Sequence, residues 1–269
     1  MLIVKIGGGA AMNLEGIARD LAALSRPAVL VLGANAARND LAERLGTPIR
    51  TVTSVSGYSS VLTDDATMDL ILMAYAGLRN KQMVALCQRH GVNAFGLTGI
   101  DGGLVRGRRN RGIKTIQDGR KMLLRDRSGK PQEINTELLH LLLDAGTTPV
   151  IGIPILDEHG IAINSENDDI VALLHASLQA EQVVQLIEAP GLLADADDPQ
   201  SKIDELTPDQ LAEWEGRVQG RMRRKLMALN KLLNAAPTEL ILADGRGEHP
   251  LADALAGKGT VVSCQPQTC

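Results

Sequence analysis

Residues 1–9 read MLIVKIGGG, and the fold of the chain can be worked out from them. Leu2, Ile3, Val4 and Ile6 form a short apolar run that stops at three glycines, the mark of a strand bound for the interior of a sheet. Lys5 stands inside that run. An ammonium group buried without a partner is expensive. The strand therefore predicts either an anion opposite Lys5 or a side chain that snorkels out at the strand end. The glycines free backbone N–H groups to converge on a phosphate and let it approach closely. Two phosphate motifs do not fit. A Walker loop places its Lys after the glycines, followed by Ser or Thr, and GxGxxG runs directly into a helix. Here the Lys comes first, within the strand.

The pattern of the first strand recurs along the chain. Apolar strands at 28–33 (AVLVLG), 92–97, 148–153, 182–187 and 238–243 alternate with amphipathic stretches at 13–24, 66–90, 135–145, 168–179 and 221–234. Continuous apolar strands separated by helices predict an α/β protein, with a mainly parallel sheet covered on both faces. In such sheets ligands bind beyond the carboxyl ends of the strands. GGGAA, GANAARN and TGIDGG fall at that edge after the first, second and third strands. Residues 101–134 read as hairpin insertions and 158–164 as a further short strand with its turn. A soft boundary near residue 180 divides the chain into 1–180 and 181–269.

Composition narrows the function. Of 269 residues, 44% are hydrophobic, ample for a sizeable core, yet Tyr58, Tyr75, Phe95 and Trp214 are the only aromatics. The core is thus aliphatic, and stacking platforms for single-stranded nucleic acid are not expected. No apolar run reaches the length of a membrane span, and the N-terminus opens a strand rather than a signal peptide. Cys87, Cys264 and Cys269 have no metal-ligand spacing and are too few for a disulfide framework, so reduced thiols in a cytoplasmic protein, with no metal site, are expected. Charge is unevenly spread. Residues 106–130 hold ten Lys or Arg against Asp118 and Asp126, a net +8, in a chain whose net is −4. A basic island on an otherwise acidic protein points to a localised anionic partner, against the alternative of a solvated hairpin.

Two further stretches carry chemistry. In GRMRRKLMAL (220–229) Lys225 lies in the opening turns of a helix, either as a site cation or as one of a solvated basic face. In NSENDDIVALL (164–174) polar side chains cluster at a helix start, where Asp168 or Asp169 either caps the helix or turns to a lysine. Two ammonium groups, a carboxylate and a glycine cradle suit phosphoryl transfer, which is mostly positioning and neutralisation of spread charge. No Ser/His/Asp or Cys/His set competes.

VKIGGG, GVNAFGLTGIDGGLVRGRR (91–109), NSENDD, EAPGLLAD (188–195), GRMRRK and ILADGR (241–246), in this order, resemble the amino-acid kinase family over essentially the whole chain. The likeness is strongest to kinases that phosphorylate aminoadipate or glutamate tethered to the amino-group carrier protein LysW. N-acetylglutamate kinase is the nearest relative outside that branch. The resemblance implies a three-layer α/β/α sandwich. It implies Lys5 and Lys225 as phosphate-stabilising lysines, oriented by Asp168, with Gly7 and Gly8 holding the transferring phosphate through their amides. Gly33, Ala34, Val61 and Asn164 would border the amino-acid substrate, and Gly191, Leu192 and Asp195 the nucleotide, ATP with Mg2+. Arg106, Arg108, Arg109 and Lys114 would meet the acidic carrier, and the chain would be a homodimer without nucleic-acid or membrane partners. Three positions depart from the family pattern. Ala34 stands in a usual Gly-Gly pair, Glu166 at a usual Asn/Asp, and Val61 where an Arg usually grips the substrate's α-carboxylate. A changed substrate, a replacement cation or lost activity would each account for Val61.

Overall fold

In the computed structural model the described residues are 1–263 apart from 56, 58, 118, 119, 196 and 219. The side chains of 117 and 220–225 are also outside the description. The central sheet is built from β1 (Leu2–Ile6), β2 (Ala28–Leu32), β3 (Ala94–Gly96), β4 (Thr148–Ile151), β5 (Gln182–Ile187), β6 (Glu205–Leu206), β7 (Glu239–Asp244) and β8 (Thr260–Val262). Their spatial order is β6-β8-β7-β5-β1-β2-β4-β3. Every pairing is parallel except that of β7 with β8.

The twofold alternation of strand side chains divides the core in two. Leu2, Val4 and Ile6 join Leu30, Leu32, Val184, Leu186 and Ile241 on one face. Against them pack α1 (Leu14–Ala22), α4 (Asn80–Arg89) and α9 (Pro250–Leu255), through Ile17, Ala18, Met83 and Leu251. Ile3 joins Val29, Val31, Val183, Leu240 and Leu242 on the other. That face is covered by α2 (Asn35–Arg44), α3 (Asp65–Ile71), α5 (Thr136–Asp144), α6 (Asn167–Leu178), α7 (Pro208–Arg217) and α8 (Gly220–Ala235). The result is the expected three-layer α/β/α sandwich. Cys87 lies buried under α4, where burial pushes its thiol up to about 11; Cys264 and Cys269 lie outside the described residues.

Some elements differ from the sequence reading. The stretch 66–90 is helical throughout, but α3 and α4 are joined by a π-helical segment, Leu72–Arg79. Helix α2 was not expected, because NAARNDLAER carries no continuous apolar stripe; only Arg38 and Ala42 are buried along it. The insertion at 101–134 carries the hairpin Ile113–Gln117 with Arg120–Leu124, and a second hairpin, Thr51–Thr53 with Ser59–Val61, was not expected. A small four-stranded sheet adds Ile155–Leu156, Ala162–Ile163, Val105–Arg109 and Gly129–Ile134.

Helix α9 is fastened by one buried carboxylate. Asp20, on α1, accepts the N–H groups of Leu251 and Ala252 at 2.9 and 3.0 Å, and His249 Nδ1 approaches it at 3.0 Å. It thus serves as the N-terminal cap of α9 from 231 residues away. Asp20→Ala is expected to lower stability by about 2–3 kcal/mol, read as a reduced midpoint in urea.

Candidate active site

Lys5 shares its face of β1 with Ile3, so alternation aims it at the helix layer that contains α6 rather than at solvent. There its Nζ lies 3.0 Å from Asp168 Oδ1, with the two side chains 13% and 26% exposed. Asp168 sits in the first turn of α6, whose N-cap, Glu166, makes no side-chain capping bond. Asp168 is thus turned to the lysine rather than spent on the cap. Its neighbour Asp169 meets Lys231 of α8 at 3.3 Å. Lys225 belongs to α8 by its backbone, and its side chain lies outside the described residues.

The glycines bring two strand ends into backbone contact. A Cβ on Gly33 would lie 2.6 Å from Gly8 N and 2.9 Å from Gly8 Cα; one on Gly8 would lie 2.7 Å from Asn35 N and 2.9 Å from Ala34 N. The loop after β1 is therefore clamped against the N-terminus of α2, and Ala36 N–H donates to Gly8 O at 2.8 Å. Helices α1, α3, α5 and α7 each begin with a side-chain cap, from Asn13, Asp64, Asn135 and Thr207. Helix α2 begins at Ala34 with none, so its first amides open onto the Gly8 loop. Gly7 needs a correction: its N–H donates to Leu186 O at 2.9 Å and continues the sheet ladder. Among the described residues, the Gly8 amide and those at the start of α2 other than Ala36 are placed to receive a phosphate.

On the substrate side, Asn164 Nδ2 donates to Thr63 Oγ1 at 3.0 Å. Val61 ends the second strand of its hairpin, half-buried and paired with Thr51. On the other side of β1, Gly191 lies against Thr260, and a Cβ there would come within 2.6 Å of Thr260 Oγ1. Leu192 is a core residue at 1% exposure, and its N–H donates to Thr260 Oγ1 at 2.8 Å. Asp195 is exposed and closes its own turn, accepting from Asp197 N–H at 3.0 Å.

The basic island is only partly solvated. Arg106 and Arg108 alternate outward from a strand whose Val105 and Gly107 face inward, and Lys114 is exposed on the next hairpin. Arg109 is turned in: its Nε donates to Asp126 O at 3.0 Å. Arg127 pairs with Asp65 at 3.0 Å. Through Val55 N–H to Lys114 O (2.8 Å) and Thr115 Oγ1 to Thr53 O (2.9 Å), the basic hairpin is joined to the hairpin that carries Val61.

The sequence reading missed three residues. Gln185 is the register partner of Lys5 on β5, 1% exposed, and its Oε1 is buried with no hydrogen bond. Its signal was the same as that of Lys5, a polar residue in an apolar strand. Glu188 accepts Ala11 N–H at 2.7 Å and fills the space beside Gly9. Arg79 stands near it, where burial holds the guanidinium below its usual value and Glu188 pushes it back up. The third, Arg38, is buried on α2.

A lysine–aspartate pair on a strand of a parallel sheet, beside a glycine clamp at the carboxyl edge, is the frame of a phosphoryl-transfer site. The chain belongs to the amino acid kinase family, whose profile matches residues 1–244. It is 41% identical to the [LysW]-aminoadipate kinase of Thermus thermophilus, over 97% of this chain and 100% of that protein. It is 33% identical to the acetylglutamate kinase of Methanopyrus kandleri, over 97% of this chain and 100% of that protein. Among solved structures, the Giardia carbamate kinase superposes with a TM-score of 0.68 at 14% identity, covering 98% of each chain. The N-acetylglutamate synthase of Neisseria gonorrhoeae gives 0.78 at 21%, covering 98% of this chain and 59% of that one.

Proposed function

We propose that the chain is an ATP-dependent kinase that converts the side-chain carboxylate of an acidic amino acid into an acyl phosphate, in lysine- or arginine-type biosynthesis. The substrate is 2-aminoadipate or glutamate, its α-amino group masked by an acidic LysW-like carrier. The observation that carries this reading is Lys5, held at 3.0 Å by Asp168 beside the Gly8–Gly33 clamp. A carboxylate oxygen attacks the γ-phosphorus as the bond to the ADP oxygen breaks. Negative charge spreads over the moving phosphoryl group, and Lys5 and the Gly8 amide neutralise it with little reorganisation. Lys225, on α8, is the second phosphate-stabilising lysine of this reading. Asp168 holds Lys5 in place. The described residues offer no group of three His, Cys, Asp or Glu that could hold a metal. Magnesium accompanying ATP would be carried on the nucleotide's phosphates and would supply charge neutralisation there.

Within this reading residues 1–180 hold substrate and phosphate and 181–269 the nucleotide, with a homodimer as the assembly. A cytoplasmic location accompanies it, and among the described residues no helix is long and apolar enough to cross a membrane. The exposed Arg106, Arg108 and Lys114 offer the carrier a basic surface adjoining the Val61 hairpin. Arg106→Glu with Arg108→Glu is expected to weaken carrier binding at least about tenfold and to flatten its salt dependence, with ATP affinity unchanged. Calorimetry over a salt series reads both.

Hydroxamate trapping of the acyl phosphate tests the whole reading, with carrier-linked aminoadipate, carrier-linked glutamate and N-acetylglutamate side by side. Product from the carrier-linked substrates supports it. Product from N-acetylglutamate alone makes the chain an acetylglutamate kinase. No product from any of the three leaves a family member that binds without catalysing.

A further inference from the structure

Arg38 is 9% exposed, yet it forms no ion pair with a carboxylate among the described residues. Its Nε and Nη2 both donate to the amide oxygen of Asn39, at 3.3 and 2.9 Å. A guanidinium has five N–H donors in a fixed fork, and a neutral amide oxygen does not compensate a cation withdrawn from water. Arg38 lines a cavity of about 690 Å³ whose other walls include Ala42 of α2, Pro48 and Ile49 of the loop that follows, and Thr51 and Val61 of the hairpin. Glu43 also borders this cavity and is exposed. Nothing else on these walls carries a positive charge. Close by, the Tyr75 hydroxyl donates to Asn35 Oδ1 at 2.7 Å, and burial pushes that hydroxyl up to about 12 while the nearby Arg38 charge opposes the shift.

We propose that Arg38 receives the substrate's α-carboxylate, so that selectivity for an acidic amino acid with a free α-carboxylate is set from α2. The inference rests on the kinase reading above. A substrate of that class has two carboxylates. One must reach the Gly8 clamp, against which Ala34 and Asn35 pack. The other must be met by a cation. Arg38 lies four residues beyond Ala34, which is about 6 Å along the helix axis, a span on the order of a short dicarboxylate chain. Val61, on the facing hairpin, supplies an apolar wall and no charge. A bidentate carboxylate seated on the free edge of the Arg38 fork satisfies the donors that Asn39 leaves unused.

The test is calorimetric binding of N-acetyl-L-2-aminoadipate, N-acetyl-L-glutamate and the α-carboxamide of each, to the wild-type protein and to Arg38→Gln. The wild type is expected to prefer acid over amide by about 10- to 100-fold. Arg38→Gln is expected to abolish that preference while ATP affinity holds. Val61→Arg placed in the Arg38→Gln chain faces the same cavity and is expected to restore part of the preference. Should Arg38→Gln not fold, Arg38→Lys carries the test. It keeps the charge and loses the fork, and the acid preference is expected to fall without vanishing. Equal wild-type affinity for acid and amide, no binding of the acid, or a preference that survives in the variant overturns the proposal. Acyl-phosphate trapping on the same protein, with ATP and the carrier-linked substrates as well as the N-acetyl acids, separates the two readings. A wild type that selects the acid through Arg38 and makes no acyl phosphate refutes the kinase reading and leaves this one standing.

Discussion

Lys5→Ala is expected to lower the rate of acyl-phosphate formation by 10²–10³-fold, the loss of about 3–4 kcal/mol typical of one preorganised donor at developing charge. The side chain is held by a partner that is itself three-quarters buried, so little reorganisation is needed when charge moves onto the phosphoryl group. The loss should fall on kcat, because the interaction strengthens only as charge develops. Loss of the Lys5–Asp168 pair adds a stability cost of about 1–3 kcal/mol. Lys5→Met, which keeps most of the volume, together with a thermal midpoint for each variant, separates that cost from the catalytic one. Lys225→Ala is expected to act on the same scale by the role assigned to it. Single-turnover trapping measures each rate, and turnover within tenfold of wild type for Lys5→Ala would remove Lys5 from the mechanism.

Gly33→Ala is expected to be nearly as damaging, by a different route. The added methyl would lie 2.6 Å from one backbone atom of Gly8 and 2.9 Å from another. No side chain can rotate away to relieve this, so the two strand ends must part and the Gly8 amide must leave its place. A misplacement of about 1 Å at a reacting centre can cost on the order of 10²-fold. The pairing of β1 with β2 is complete before the glycines, from Leu2 with Ala28 to Ile6 with Leu32, so the sheet should survive. The expected result is a folded protein with a lowered midpoint, kcat reduced about a hundredfold and a raised KM for ATP. Steady-state kinetics with circular dichroism checks it. Unchanged kcat would mean that the clamp serves packing alone.

Much of the architecture was legible because it depends on short-range patterns. The run 182–187 is a strand from end to end, and Lys5 needs an anion for reasons visible in nine residues. The remainder depends on relations between distant segments. Helix α2 hides because its buried side is a few small residues and one arginine, which no periodicity scan weights as core. Arg38 reads as a surface charge until the loop at 47–51 and the hairpin at 59–61 enclose it. That Leu192 N–H is held by Thr260, 68 residues later, is likewise invisible in the local sequence. The basic island reads as uniform, yet backbone acceptors and Asp65 pull Arg109 and Arg127 inward and leave Arg106 and Arg108 outside. Departures from a family pattern, such as Val61, were visible at once, but what compensates them was not.

The pairing of β1 with β5 bears on how this protein can be taken apart. Five consecutive register partners, from Leu2 with Gln182 to Ile6 with Leu186, join the first strand of the chain to one that begins after residue 180. The boundary suggested by composition is therefore a seam inside one sheet, and neither side of it is a module. A fragment ending at 180 would expose a buried, wholly apolar strand edge with Lys5 beside it, a template for pairing with other copies. The complementary fragment would lack the strand on which β5 lies. Gene fusions, split reporters and tags that treat the nucleotide side as portable should instead be joined at the exposed turns, since β1, which carries Lys5 and leads to Gly8, pairs with a strand from the other side of residue 180.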